Sequence, residues 1–127
     1  MAEYNTPEEM QKVIEKWIDI MKKDGEIAKK CEGINCSMQY EMTDIDFIFF
    51  TNFMDGKVDG GIGEADPEAM VVLEMSSETF DGMMTGEVDG ASAAMSGDMT
   101  FSGDVNAAMG LQALQEDLQR LYEQALA

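Results

Sequence analysis

Residues 34–54 constrain this chain more than any other stretch. The run INCSMQYEM places Ile34, Cys36, Met38, Tyr40 and Met42 at alternate positions, the period that turns one face of a strand toward a core. Thr43-Asp44 turns the chain, and Ile45 to Met54 then passes through Phe47, Ile48, Phe49, Phe50 and Phe53. Both faces are apolar at its centre, which predicts a strand inside a sheet or beneath a helix. Asp55-Gly56 is a strong hairpin signal. The third strand, KVDGGIG, keeps Val58 and Ile62 on one face and carries Gly60, Gly61 and Gly63. Glycines there mark a bulge or a close approach of another backbone. Three such strands commit the chain to a sheet, and the rest must cover it.

The segments on either side read as cover. Thr6-Pro7-Glu8-Glu9 starts a helix, with Thr6 as cap, Pro7 at the first helical position and Glu9 completing a capping box. Met10, Val13, Ile14, Trp17, Ile18 and Met21 follow at helical spacing, Lys22 and Lys23 suit a C-terminus, and Gly25 ends the helix. A short second helix spans Glu26 to Glu32, stopped by Gly33. Beyond Asp66-Pro67, a fourth strand from Met70 to Ser76 puts Val71, Leu73 and Met75 on one face. Ser76 or Ser77 caps a helix turning Phe80, Met83 and Met84 inward, and Gly86 terminates it. Asp89 to Met95 is another short helix, ended by Gly97, and Asp98 to Ser102 is a fifth strand with Met99 and Phe101 on one face. Asp104 caps one closing helix, striped by Met109, Leu111, Leu114, Leu118, Leu121, Tyr122 and Leu126. The expectation is an α+β fold in one domain over 1–127, with four antiparallel strands and then a fifth, and helices on one sheet face.

Composition narrows the function. At 127 residues and 45% hydrophobic content, the chain can bury a core without staples. Its 26 acidic and 8 basic residues give a net charge of −18, which repels nucleic acid and anionic membrane surfaces. It has no histidine, which removes the Ser-His-Asp triad and imidazole zinc sites. Cys31 and Cys36 lack CxxC spacing, read as reduced thiols, and Cys36 falls on the apolar strand face. No apolar run approaches the roughly 20 residues of a membrane span. MAEYNTPEEM is no signal peptide and QALA carries no lipidation or retention tag, so a cytoplasmic protein is expected. The 13 methionines are the odd feature, because Met fills irregular gaps and also lines promiscuous binding surfaces.

From the second strand onward the order of motifs resembles the sterol carrier protein type 2 (SCP-2) family. The resemblance rests on the strand pair around Asp55-Gly56-Lys57 and on the strand VVLEMS running into the helix SETFDGMMTG. The small-residue helix GASAAMSG, the strand DMTFSGD and a closing helix complete it. It covers nearly the whole chain, more loosely before Ile45, and Leu73 to Asp104 is its most recognisable passage. It implies a five-stranded, largely antiparallel sheet covered by helices, with an apolar tunnel between them. Members bind fatty acids, acyl-CoA, sterols or other lipids without catalysis, or serve as lipid-binding modules of larger enzymes. This sequence carries no dehydrogenase, thiolase or hydrolase domain and no peroxisomal tripeptide, which implies a free-standing prokaryotic-type member.

The expected apolar lining is Phe80, Met83, Met84, Met95 and Phe101 from the 76–104 stretch, Met109, Leu111 and Leu114 from the closing helix, and Phe47, Phe49 and Leu73 from the sheet. Flexible Met beside small Ala and Gly favours enclosed space over a filled core. Asp55 to Asp66 superficially resembles a calcium loop, but Lys57 holds the third position, Asp66 the twelfth, and strands flank it. Asp55, Asp59, Asp89, Asp98 and Asp104 read as turn and cap residues. The expected activity is non-catalytic binding, or binding with transfer, of a fatty acid, acyl-CoA or other lipid, with no cofactor, no metal, no nucleic acid and no stable membrane insertion. Oligomeric state stays open between monomer and homodimer. Two alternatives stand beside it: a carboxylate-based isomerase using Tyr40 and Asp46, and an interaction module with a Met-rich groove for a partner helix.

Overall fold

The computed structural model describes residues 4–65, 69–110 and 114–126. The elements in order are α1 (Pro7–Lys23), α2 (Gly25–Lys30), β1 (Asn35–Met42), β2 (Phe47–Met54), β3 (Lys57–Ile62), β4 (Val71–Met75), α3 (Ser77–Thr85), α4 (Gly90–Ser96), β5 (Met99–Gly103), α5 (Val105–Gly110) and α6 (Gln115–Leu126). Five strands form one mixed sheet in the order β3-β2-β1-β4-β5.

Helix boundaries follow the capping chemistry. Thr6 Oγ1 accepts from the Glu9 N–H at 3.2 Å, and the Glu9 carboxylate reaches back to the Asn5 N–H at 3.0 Å, satisfying two donors of the open turn. Asp24 closes α1 and caps α2, accepting from the Ile27 N–H at 3.0 Å. Ser76 caps α3 and Asp89 caps α4, and each of these helices ends on a left-handed glycine, Gly86 or Gly97.

The β2–β3 turn is Asp55-Gly56, with φ of 46° and 87°, the doubly positive geometry that matches strand twist in tight hairpins. At Gly60 an added Cβ would lie 2.8 Å from the Phe50 carbonyl oxygen and 3.2 Å from Ile18. At Gly61 it would lie 2.9 Å from the Phe50 ring. The strand glycines therefore admit α1 on one side and the cross-strand aromatic on the other.

One strand pairing departs from the four-strand antiparallel reading. β1 and β4 run parallel, with Tyr40 opposite Leu73, while the other three pairings are antiparallel. Two hairpins make β3 parallel to β1. The chain from Gly63 to Met70 therefore joins two parallel strands, β3 and β4. It spans three strand spacings, about 14 Å, within reach of eight residues. Gln39 Oε1 accepts from the Ala65 N–H at 3.0 Å, and Ser37 Oγ from the Met70 N–H at 2.8 Å. These two side chains, on the face of β1 that period-two alternation alone assigns to solvent, are buried.

The helices lie against the opposite face. α1 packs on β2 and β3, α4 on β5, and α6 on α1 and α3. The centre is a cluster of rings: Trp17 contacts Phe49, Phe80 and Tyr122 edge-on, and Tyr40 stacks on Phe49 at 4.6 Å between centroids. The edge-on contacts suit the ring quadrupoles. The closing helix expected as one rod is two helices among the described residues, α5 and α6, and they do not continue one apolar face. Met109 of α5 is exposed, whereas Leu118, Leu121 and Tyr122 of α6 are buried. Leu126, placed on that stripe, is also exposed, at the end of α6.

Candidate functional site: a cleft beside the aromatic core

One row of side chains crosses the sheet from a packed region to an open one. Strand register places Phe49, Tyr40, Leu73 and Phe101 in line across β2, β1, β4 and β5. At the Phe49 end the space above the sheet is taken by Trp17 and Phe80. At the Phe101 end the covering element is α4, whose sequence GASAAMS brings no large inward side chain. Ala93 is its one buried residue. A helix this small in side-chain volume cannot fill the space beneath it. A cleft of about 740 Å³ remains, a size common among small-molecule sites.

Its floor is Met38 and Tyr40 of β1, Leu73 of β4, and Met99 and Phe101 of β5. Met83 and Met84 of α3 form one wall, and Leu118, Gln115 and Gln119 of α6 another. The segment from Gly86 to Ala91, with Ala94, supplies the roof and rim. Gly82 shapes that roof. Its missing side chain leaves room for Val88, whose Cγ2 would be 2.5 Å from a Cβ there, and the Val88 N–H donates to the Gly82 carbonyl at 3.0 Å. Gln119 Nε2 donates to the Met83 carbonyl at 2.9 Å, holding α6 to the end of α3.

The polar chemistry of the cleft is sparse. The Tyr40 hydroxyl donates to Met38 Sδ at 3.6 Å, and burial pushes its phenol up to about 12, so it stays protonated at neutral pH. The charged lining residues are Glu87 and Asp89, both exposed at the rim. The Asp89 carboxylate accepts from the Ser92 N–H at 3.2 Å and the Ser92 hydroxyl at 3.1 Å. All eight lysines and arginines lie among the described residues, and none lines the cleft.

The structure distributes the expected lining residues among three places. Leu73, Met83, Met84 and Phe101 line the cleft. Phe47, Phe49, Phe80 and Leu114 are buried outside its lining, the first three within the aromatic cluster. The three rings pack on one another in the core beside the cleft. Met95 and Met109 face solvent, at 89% and 59% exposure. Residues two apart on a helix point about 200° apart, so burying Ala93 and the partly buried Ala107 turns both methionines outward. Leu111 lies outside the described residues. Lining residues not anticipated include Met38, Val88, Met99 and Leu118. Met38 shares the alternating face with Tyr40, Met99 with Phe101, and Leu118 the helical stripe with Leu114, so period alone could have named these three.

The alternative centres do not assemble. Asp46 is exposed in the turn before β2, with φ of 54°, and is not part of the lining that holds Tyr40. Asp55 Oδ1 accepts from the Gly33 N–H at 2.8 Å, and Asp59 pairs with Lys22 at 3.1 Å. Asp104 caps α5 through the Asn106 and Ala107 N–H groups. Cys31 and Cys36 are both buried, reduced thiols, and burial with the nearby Asp104 charge pushes the Cys36 thiol up to about 11.

A model of the SCP-2 sterol transfer family matches residues 14–116. Among solved structures, the sterol carrier protein domain 2 of Helicoverpa armigera is similar with a TM-score of 0.67 and 18% identity, over 94% of this chain and 96% of that one. Sterol carrier protein 2 from Aedes aegypti, in complex with the C16 fatty acid palmitate, is similar with a TM-score of 0.52 and 16% identity, over 78% of this chain and 94% of that one. The stereoselective inverting sec-alkylsulfatase Pisa1 from Pseudomonas sp. is similar with a TM-score of 0.59 and 17% identity over 74% of this chain, which spans 14% of that enzyme's length. At these identities the structural likeness is one of fold. No curated protein matches the chain by sequence.

Proposed function

The chain belongs to the SCP-2 sterol transfer family, and from that premise we propose that it is a single lipid-binding domain whose cleft holds the hydrocarbon part of a lipid without chemical change. The observation that carries this reading is the apolar cleft between the sheet and α3, α4 and α6, floored by Tyr40, Leu73 and Phe101. Burying a hydrocarbon chain there gains about 25 cal/mol for each Å² of apolar surface removed from water. The methionines let the walls adapt to different chains. The relative solved with palmitate supports a lipid as the class of ligand.

We read the binding as non-catalytic, and the composition of the lining supports that reading. It offers a protonated phenol, two amides and two rim carboxylates, with no nucleophile activated by a neighbouring base. Among the described residues no helix is long and apolar enough to cross a membrane, which fits a carrier that holds its lipid within the protein. The two buried thiols fit a cytoplasmic location.

Native mass spectrometry of protein purified from cells, followed by solvent extraction, tests the proposal. The expected result is co-purified lipid, released on unfolding, whose binding Met83→Glu abolishes while the fold is retained. A protein that is consistently empty and binds no neutral fluorescent lipid at micromolar concentration would overturn it.

A further inference from the structure

The cleft's charge pattern goes beyond its apolar character. A lipid that seats its chain on Tyr40, Leu73 and Phe101 must leave its polar end at the rim, where the charged groups are the carboxylates of Glu87 and Asp89. Residues 58–127, which supply most of the cleft, contain 14 of the 26 acidic residues and one basic residue, Arg120. That guanidinium is occupied elsewhere, 3.0 Å from Asp24 and 3.1 Å from Asp117. An anionic head entering the rim therefore loses hydration, meets like charge and finds no cation. On the α6 wall, by contrast, the Gln115 amide both donates and accepts, and the Gln119 amide oxygen accepts while its Nε2 serves the Met83 carbonyl, so the pair is chemically suited to a hydroxyl or carbonyl.

We propose that the cleft selects lipids with an uncharged polar end, such as a long-chain alcohol or a neutral ester, and discriminates against the carboxylates and phosphates of fatty acids and acyl-CoA. The inference rests on the reading of the cleft as a lipid site and names the ligand class within it. Discrimination arises at the rim and is electrostatic. It weakens as added salt shortens the Debye length from about 30 Å at 10 mM to about 3 Å at 1 M.

The test uses the full chain loaded with the neutral probe N-phenyl-1-naphthylamine, displaced by dodecanol or by laurate. The two carry chains of equal length and differ at the head. The expected result at low salt is displacement by dodecanol at a concentration about ten-fold below that of laurate, a ratio of the size that a few screened charges produce. The ratio should shrink in 1 M salt and in a Glu87→Gln/Asp89→Asn double variant, in which Asn keeps the α4 cap. Glu87→Lys should move the preference toward laurate. Laurate displacing within two-fold of dodecanol at low salt, or a ratio unmoved by neutralising the rim, overturns the inference alone. If the probe does not bind, or neither amphiphile displaces it, the reading of the cleft as a lipid site fails and this inference falls with it.

Discussion

Arg120 carries more of the fold than its half-exposed position suggests. Its guanidinium lies 3.0 Å from Asp24, 3.1 Å from Asp117 and 3.4 Å from Glu26, and Lys30 reaches Asp117 from the other side at 2.9 Å. Burial opposes ionisation of Asp117, but the hydrogen bonds from Lys30 and Arg120 outweigh it and hold the carboxyl below its ordinary range. Burial is likewise outweighed at Asp24, by Arg120 and the Ile27 N–H. Because both folded values are depressed, the stability they confer is complete above the unfolded carboxyl value of about 3.9 and is lost as pH falls through the folded values. Arg120→Met should cost about 1–2 kcal/mol at pH 7 in urea unfolding, discounted for the exposure of the guanidinium. The difference from the parent protein should close as pH drops below about 4. A pH-independent difference would assign the loss to packing. Tyr122 holds a second buried network, donating to Asp81 at 2.7 Å and sharing a 2.5 Å bond with the Tyr4 hydroxyl. Burial pushes the Tyr4 phenol up to about 12, and burial with the Tyr4 and Asp81 neighbours raises Tyr122 strongly. Tyr122→Phe leaves Asp81 short of one donor and should cost about 1–3 kcal/mol, read by the same titration. At this scale the sequence was only partly legible. Leu73 and Phe101 declare their face by strand alternation, whereas Met95 and Met109 looked like lining because of residue type. Helical angle relative to Ala93 and Ala107 decides where they point.

The covering helices divide into those that fill and those that only roof. α1 buries Met10, Ile14, Trp17, Ile18 and Met21, so opening it exposes a large apolar area. α4 rests on β5 but buries Ala93 alone, with its Asp89 cap and the close approach of Gly90 to Met83 as further ties. Local opening free energy follows buried contact. Amide hydrogen exchange should therefore be much faster in 90–96 than in α1, and a bound lipid should slow it. Equal protection in both helices without ligand would contradict this picture of α4. Gly82→Ala tests the same roof from below. Its methyl group displaces Val88, so lipid affinity should fall several-fold with stability less affected, as overpacking strain of about 1–3 kcal/mol is relieved by movement of the 86–88 segment. Element types and caps were readable because each rests on local chemistry: Thr6, Ser76, Asp89 and the Asp55-Gly56 turn. The parallel β1–β4 pairing was not, because it depends on where a long connection crosses. Ser37 and Gln39, buried and bonded to the Met70 and Ala65 N–H groups, looked like the solvent side of a strand.

Across the whole molecule the charges are separated along the chain. Seven of the eight basic residues precede Val58, so the part that forms the cleft lies in an almost wholly negative field. Self-repulsion at a net charge of −18 opposes compaction. Raising salt from about 10 mM to about 0.3 M should raise the melting temperature by several degrees, although the same ions weaken the Arg120 network. A falling melting temperature would mean that local pairs outweigh the global field. The buried bond between Tyr4 and Tyr122 sets a different condition on this molecule. Trp17 reaches the same end of the chain, donating its indole N–H to the Leu118 carbonyl at 3.2 Å and meeting the Tyr122 ring edge-on. Contacts a hundred residues apart close the centre of the core, which makes folding a late and slow event. During synthesis, the first helix can meet β2 and β3 early, but its α6 partner is missing until residue 122 has left the ribosome. Until then the part of its apolar face that meets α6 must be shielded by transient collapse or by a chaperone.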